Sequence, residues 1–262
     1  MNNTEHQKVV FEPHGFVRLV DYSGDELSIV NAARVSFANE SKWIEDPSGN
    51  FYFSTQNDGN ANIWERDTED SNKVLSKSDS GLINYLLKNK HGSPFEHGFM
   101  SQWHIRLPIF VMREWVRHRV GFSVNEESGR YTEMRPDFYI PEYIRTQKGK
   151  PGAYKFEEVD KVDKEFAQLL IKNNSENSFF RYKEMLEVGI AKEVARMVLP
   201  LNLYTEIRWT ANARSLMNFL SLRNSEHAMF EIRKYAEALE EIFAREMPNV
   251  YESFILNDRV AP

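Results

Sequence analysis

Residues Arg117–Tyr131 read RHRVGFSVNEESGRY, and this is the densest concentration of chemically capable side chains in the chain. Arg117, His118, Arg119 and Arg130 lie among Asn125, Glu126, Glu127 and Ser128, and Arg113 precedes Arg117 by one helical turn. On a continuous helix Arg113 and Arg117 would share a face. Guanidinium groups bind phosphate oxygens bidentately, so the pattern suits a phosphate or pyrophosphate clamp. A basic helix end followed by a solvated loop is the plainer alternative, since cations favour the negative end of a helix dipole. An exposed cap needs one cation, whereas this stretch supplies four arginines between positions 113 and 130. Ser128 would need an adjacent base, itself oriented, to act as a nucleophile. Positioning a ligand is its simpler role.

A second constellation is His91-Gly-Ser-Pro-Phe-Glu-His97. Two histidines and a glutamate are metal-ligand types, but the helical H-E-x-x-H spacing of a zinc site is missing and Pro94 interrupts regular structure. No metal is therefore expected. Turn chemistry alone accounts for Gly92, Ser93 and Pro94. A third runs from Asn212 to Arg223 (NARSLMNFLSLR), with His227 beyond it. Asn212 suits a helix N-cap. Arg214 and Asn218, four apart, share one face. Such a polar stripe is usually solvated, but Asn is a poor helix former, which tilts the reading toward ligand contact.

These residues need elements to hold them. Ser23 and Glu26 have capping-box spacing before a helix carrying Leu27, Val30, Ala33 and Phe37. Residues 39–80 are rich in Asn, Asp, Ser and Gly, interrupted by Trp43, Phe51, Tyr52, Phe53 and Trp64; they read as an insertion holding a hairpin. A helix over 81–90 follows. Phe99–Leu107 alternates apolar and polar residues as a half-buried strand does. Pro108 suits the first turn of a helix reaching about His118, and 119–135 reads as a polar loop. Two or three helices are expected within 157–198, a second strand over Leu201–Trp209, and helices over about 212–223 and 227–246. The last carries Ala228, Ile232, Tyr235, Leu239 and Ile242 on one stripe. The expected fold is α/β (α+β): one domain over residues 1–262, a central sheet flanked by several helices, and a helix-rich C-terminal half.

Composition narrows the function. A hydrophobic fraction of 41% is ample for a core, and a net charge of −6 disfavours non-specific binding to nucleic acid or to an anionic membrane surface. Any anion site must therefore be a local arginine cluster. No apolar run is long enough for a membrane span, and the N-terminus lacks signal-peptide features, so a cytoplasmic location is the expectation. The chain has no cysteine, which removes disulfides, thiolate metal sites and a cysteine nucleophile.

The ordered motifs resemble the flavin-dependent thymidylate synthases. That family's signature is R-H-R, a gap of seven or eight residues, then Ser. Here it reads Arg117-His118-Arg119, eight residues, Ser128. The N-E-x-S-x-R-Y that surrounds the serine is present from Asn125 to Tyr131. Ala32-Ala-Arg-Val-Ser36, the H-x-S-P-F-E-H segment and N-A-R-x-L-x-N-F-x-x-L-R extend the match. The resemblance implies a homotetramer with active sites built from several subunits. It implies FAD contacts at Ser36, Ser93, Glu96, Arg117, His118, Arg119, Asn125, Glu126, Asn212, Arg214, Asn218 and His227. It places dUMP against Glu114, Arg117, Ser128, Gly129, Arg130, Arg196 and Arg223, and His91 near flavin and folate. Many relatives carry Gln where this chain has Glu114. Arg223, Ser128 and His91 are the candidate catalytic residues.

The implied reaction is reductive methylation of dUMP to dTMP. Uracil C5 is a weak nucleophile. The other known solution adds a cysteine thiolate at C6, and this chain has none. FAD, reduced by NADPH, would supply hydride, and 5,10-methylenetetrahydrofolate the carbon. On the residues alone three other readings stay open. One is a different flavin or nucleotide enzyme with the same clamps. Another is a nucleic-acid module on the Arg113–Arg130 strip, opposed by the acidic charge. The third is a metalloenzyme using His91, His97 and His104.

Overall fold

The computed structural model describes residues 6–45 and 73–262. Five antiparallel strands form the main sheet: β1 (Gln7–Phe11), β2 (Gly15–Ser23), β5 (Met100–Pro108), β9 (Tyr204–Ala211) and β6 (Phe122–Glu126), in that spatial order. Alternation decides which side of each strand is buried. Val17 and Leu19, Trp103, Ile105 and Leu107, and Ile207, Trp209 and Ala211 belong to the main core, together with buried residues of α6 (Ala213–Arg223) and α7 (Phe230–Glu246). The other side carries polar residues. One cross-strand row there runs Arg18, His104, Arg208, Asn125 across β2, β5, β9 and β6.

Several boundaries differ from the sequence expectation. Helix α1 (Glu26–Arg34) is capped by Asp25, whose carboxylate accepts from Ser28 N–H at 2.8 Å while Ser28 Oγ accepts from Asp25 N–H; Ser23 instead ends β2. Helix α2 (Lys77–Lys88) follows the Ser76 cap, its first residue Lys77 lying four residues before Gly81. Inside 39–80, the short strands β3 (Ile44–Glu45) and β4 (Lys73–Val74) pair, setting the two ends of the insertion side by side. Trp43 packs on the core. The hairpin expected there, with Phe51, Tyr52, Phe53 and Trp64, lies outside the described residues.

Asp79 ties these ends together. It accepts from Arg34 Nε at 3.0 Å, Ser41 Oγ at 2.8 Å and Ser76 Oγ at 2.8 Å. Burial works to raise its pKa, but the hydrogen bonds from Arg34, Ser76 and Ser41 outweigh it and hold the carboxyl below the usual value. Glu26 plays a comparable part for α8 (Pro248–Leu256), a helix the sequence pattern did not reveal. Its buried carboxylate accepts from Asn249 N–H at 2.5 Å and Val250 N–H at 3.0 Å, satisfying a helix start without a side-chain cap of its own.

Two hairpin strands, β7 (Arg145–Lys148) and β8 (Lys155–Glu158), lead into α4 (Lys161–Glu187) and the short α5 (Lys192–Ala195). A small second core of Met134, Tyr182, Ala195 and Leu203 fastens α4 and α5 to the 128–135 segment, with Met134 N–H donating to Tyr182 Oη at 3.1 Å. No helix among the described residues is long and apolar enough to cross a membrane.

Candidate active site

Helix α3 (Ile109–Trp115), with Pro108 as its N-cap, ends earlier than the sequence pattern suggests. Arg117, His118 and Arg119 therefore lie on the turn beyond it, and the helical face expected to join Arg113 and Arg117 stops short of Arg117. The 119–135 loop is also corrected: the chain turns at Gly121 (φ +72°) into edge strand β6. Only glycine fits there, because a Cβ would stand 2.0 Å from Ser215 Oγ. Ser215 Oγ donates to Val120 O at 3.0 Å, and Asn212 caps α6 by accepting from Ser215 N–H at 2.9 Å. The Ser215 Oγ bond to Val120 O thus docks the R-H-R turn on the first turn of α6.

On the same helix, Arg214 lies across Gly92, with its Nε 2.5 Å from where a Cβ would be, and Nη1 bonds Glu96 Oε1 at 2.5 Å. This joins the 3-10 turn Ser93–Glu96 to the α6 stripe. Asn218 is exposed one turn further on, and His227 is exposed beyond the helix. His91 is exposed and stacks on Tyr85, ring centroids 6.0 Å apart. Ser36 is exposed on the 3-10 turn after α1. None of these last four has a side-chain bond to the Arg214 or Arg223 clusters.

Arg223, at the end of α6, donates from Nε to His118 Nε2 at 2.8 Å and from Nη1 to Glu114 Oε2 at 3.0 Å. Burial, and then the Arg223 charge, push the His118 pKa down to about 4. The imidazole is therefore neutral near pH 7, accepts at Nε2 and carries its proton on Nδ1.

A second cluster follows the far end of β6. Ser128 Oγ accepts from Arg130 N–H at 3.3 Å, and no base is among its hydrogen-bond partners. Arg196, placed by buried Ala195, sits against Gly129, where a Cβ would lie 3.3 Å from Arg196 Cδ. Arg130 Nε reaches Glu193 Oε2 at 3.2 Å across mostly exposed side chains. Arg196 is also within electrostatic reach of Glu126.

The structure thus gathers these candidate residues into two clusters, candidate half-sites at opposite ends of β6: Glu96, Glu114, His118, Asn212, Arg214 and Arg223 at its start, and Ser128, Gly129, Arg130 and Arg196 past its end. Among the described residues, Arg113, Arg117, Arg119, Arg196 and Arg208 have neither a side-chain hydrogen bond nor an ion pair, while the other arginines are engaged. Arg208 was not found from the sequence. No motif marks it; only the sheet register sets it opposite Asn125.

The chain matches the family model described as "Thymidylate synthase complementing protein" over residues 18–249. A flavin-dependent thymidylate synthase from Thermosipho melanesiensis is 42% identical over 243 residues, covering 92% of this chain and 90% of that protein. One from Streptomyces avermitilis is 40% identical over 256 residues, covering 94% and 93%. Among solved structures, a UMP/dUMP methylase, PolB from Streptomyces cacaoi, bound with 5-Br UMP, superposes with a TM-score of 0.75 at 35% identity, covering 94% of this chain and 96% of that one. The fold and its arginine-lined motif are thus those of a nucleotide-methylating enzyme. The chain belongs to the flavin-dependent thymidylate synthase family.

Proposed function

We propose that this chain converts dUMP to dTMP with FAD as its flavin, 5,10-methylenetetrahydrofolate as carbon donor and NADPH as reductant, working as a cytoplasmic homotetramer. The observation that carries the reading is the set of arginines without a side-chain partner around β6, with Arg117 and Arg119 before it, Arg208 opposite Asn125 on β9 and Arg196 near Glu126, in an otherwise acidic protein. Unpaired guanidinium groups beside phosphate-type turn residues suit two phosphorylated ligands.

The residues present fit a flavin dinucleotide. Arg117 and Arg119 offer free guanidinium groups, and Arg214 is braced on Gly92 by Glu96. With Asn125, Glu126, Asn212, Asn218, His227, Ser36 and Ser93 these would hold FAD. When bound, the flavin supplies the hydride, and the folate supplies the carbon. Arg196, Arg130, Ser128 Oγ and Gly129 would hold the nucleotide phosphate. Ser128 would then position rather than attack, its Oγ accepting from Arg130 N–H. Arg223 would donate to the pyrimidine oxygens and stabilise negative charge developing there. Neutral His118 would orient Arg223 and give up no proton of its own near pH 7.

Two features support a tetramer. The half-sites lie at opposite ends of a five-residue strand, which at about 3.3 Å per residue sets them on the order of 15 Å apart, an arrangement that suits completion of each by a neighbouring subunit. Helix α4 also exposes Phe166, Leu169, Leu170 and Phe180 at 53–59%, an apolar surface that suits a partner subunit.

The test is a titration of the apo-protein with FAD, followed by flavin fluorescence, with dTMP formation assayed in the presence of NADPH and methylenetetrahydrofolate. Saturable FAD binding with dTMP production is expected. No FAD binding, or FAD binding without dTMP, would overturn the reading. The likeness to a UMP/dUMP methylase makes UMP the second substrate to assay.

A further inference from the structure

Arg223 is held from three directions by two residues. Besides the bonds to His118 Nε2 and Glu114 Oε2, its Nη2 donates to the Glu114 backbone carbonyl at 3.1 Å. A guanidinium has five N–H donors in one rigid plane, so three are committed and two remain for a ligand. Three bonds fix both the position and the tilt of that plane. Arg223 is the more buried partner, its side chain 19% exposed against 44% for Glu114. Without its carboxylate partner the cation would be poorly hydrated where it now stands and would be driven to reorient.

We propose that Glu114 is a positioning residue: it sets the guanidinium plane of Arg223 and does not itself touch the nucleotide. The inference rests on the reading that Arg223 faces the pyrimidine, and it replaces the expectation that Glu114 contacts dUMP. A carboxylate oxygen spent on Arg223 Nη1 is an oxygen turned toward the arginine. The backbone carbonyl of the same residue completes the grip, and no side-chain substitution removes it. Loss of the carboxylate should therefore loosen Arg223 rather than abolish its placement. An acceptor of the same length should restore it.

The test compares Glu114→Ala and Glu114→Gln with the unaltered holoenzyme. Positioning predicts that Glu114→Ala lowers kcat about tenfold while the dUMP Kd stays within about twofold, and that Glu114→Gln, whose amide oxygen can still accept from Nη1, recovers most of kcat. A tenfold rise in Kd for Glu114→Ala with kcat unchanged would make Glu114 a substrate contact and overturn the proposal. A second readout needs no substrate. The groups facing His118 are Arg223 and the rings of Phe122 and Phe219. As Glu114→Ala loosens Arg223 and moves its charge from the ring, the His118 imidazole, followed by NMR, should titrate higher than in the unaltered protein, and Glu114→Gln should keep it low. An unchanged His118 midpoint in Glu114→Ala would overturn the proposal even if activity fell. An unaltered enzyme that makes no dTMP would overturn the functional reading instead, and the His118 titration would still decide the role of Glu114.

Discussion

Helices α7 and α4 are the two longest among the described residues, and they are built on opposite principles. Nine of the seventeen α7 residues are buried, along the stripe that includes Ile232, Tyr235, Leu239 and Ile242. Of the twenty-seven in α4, only Ser175 and Tyr182 are buried, and apolar residues such as Val162, Phe166, Leu170 and Phe180 face outward. One chain supplies everything α7 packs against. For α4 it supplies a few anchors: Tyr182 under Met134, Ser175 bonded to Asn202, and Gln168 donating to Pro141 O. The contrast separates a helix that stabilises the fold from one that presents a surface, and it locates the sites where substitutions should report on folding, on ligands or on assembly.

The largest difference should appear in stability. Leu239 is fully buried in α7, and Leu239→Ala should cost about 2–5 kcal/mol through lost burial and the cavity left behind. Leu170, 53% exposed on α4, should cost well under about 1 kcal/mol within a single chain. Denaturant melts of both variants at low protein concentration test this. Equal losses would mean that α4 is packed as firmly as α7 and that the comparison fails.

Next come the two half-sites, one resting on the α6–α7 body and the other positioned by α4 and α5. Arg119→Ala should weaken FAD binding, and Arg196→Ala should mainly weaken dUMP binding, each by roughly 1.5–3 kcal/mol if a charged hydrogen bond is lost. Isothermal titration with each ligand decides it. Both variants losing the same ligand and keeping the other would show that the clamps are wrongly divided.

The third concerns assembly. Phe166 and Leu169 are three apart on α4, so Phe166→Asp with Leu169→Asp puts two charges on one patch. Light scattering should show about four chains' mass for the unaltered enzyme and a smaller particle for the variant. An unchanged mass would remove α4 from the interface.

How legible these features were depended on whether their signal was local. The alternation of Trp103, Ile105 and Leu107 and the stripe of α7 come from burial on one face, which any periodic pattern exposes. Asn212 announced its own cap, and the R-H-R and N-E-x-S motifs carried the resemblance to the family. Strand β6 did not stand out, because an edge strand needs little burial and Ser123 and Asn125 made it resemble a loop. The β7–β8 hairpin hid for the same reason, since most of its residues are exposed. The start of α8 depends on Glu26, more than two hundred residues earlier. Arg208 stands opposite Asn125 only through strand register, and the two holders of Arg223 lie more than a hundred residues before it. Tertiary contacts of that kind leave no mark in a local pattern.

The smallest effect concerns acid, and it sets a carboxylate of the body against one beside α4. Asp79 is buried among Arg34, Ser41 and Ser76, whose hydrogen bonds outweigh the cost of burial and hold its pKa below 3.8. A carboxyl with a lowered pKa in the folded state adds stability above its unfolded value and loses that contribution as pH falls through the folded one. Its stabilisation should therefore persist at neutral pH and fade only below about pH 4. Glu133 is also lowered, first by its hydrogen bond from Lys183 and then by that lysine's charge, but the pair is solvent-exposed at 3.0 Å. Salt screens such a pair, and exposed ion pairs contribute little. Asp79→Asn should lower the melting temperature near pH 6 and flatten its fall below about pH 4, with little sensitivity to salt. Glu133→Gln should change neither. Should Glu133→Gln flatten the acid limb while Asp79→Asn leaves it intact, the stabilising charge would lie beside α4 rather than at the neck of the insertion, and the division between a self-sufficient body and a surface-presenting helix would not extend to electrostatics.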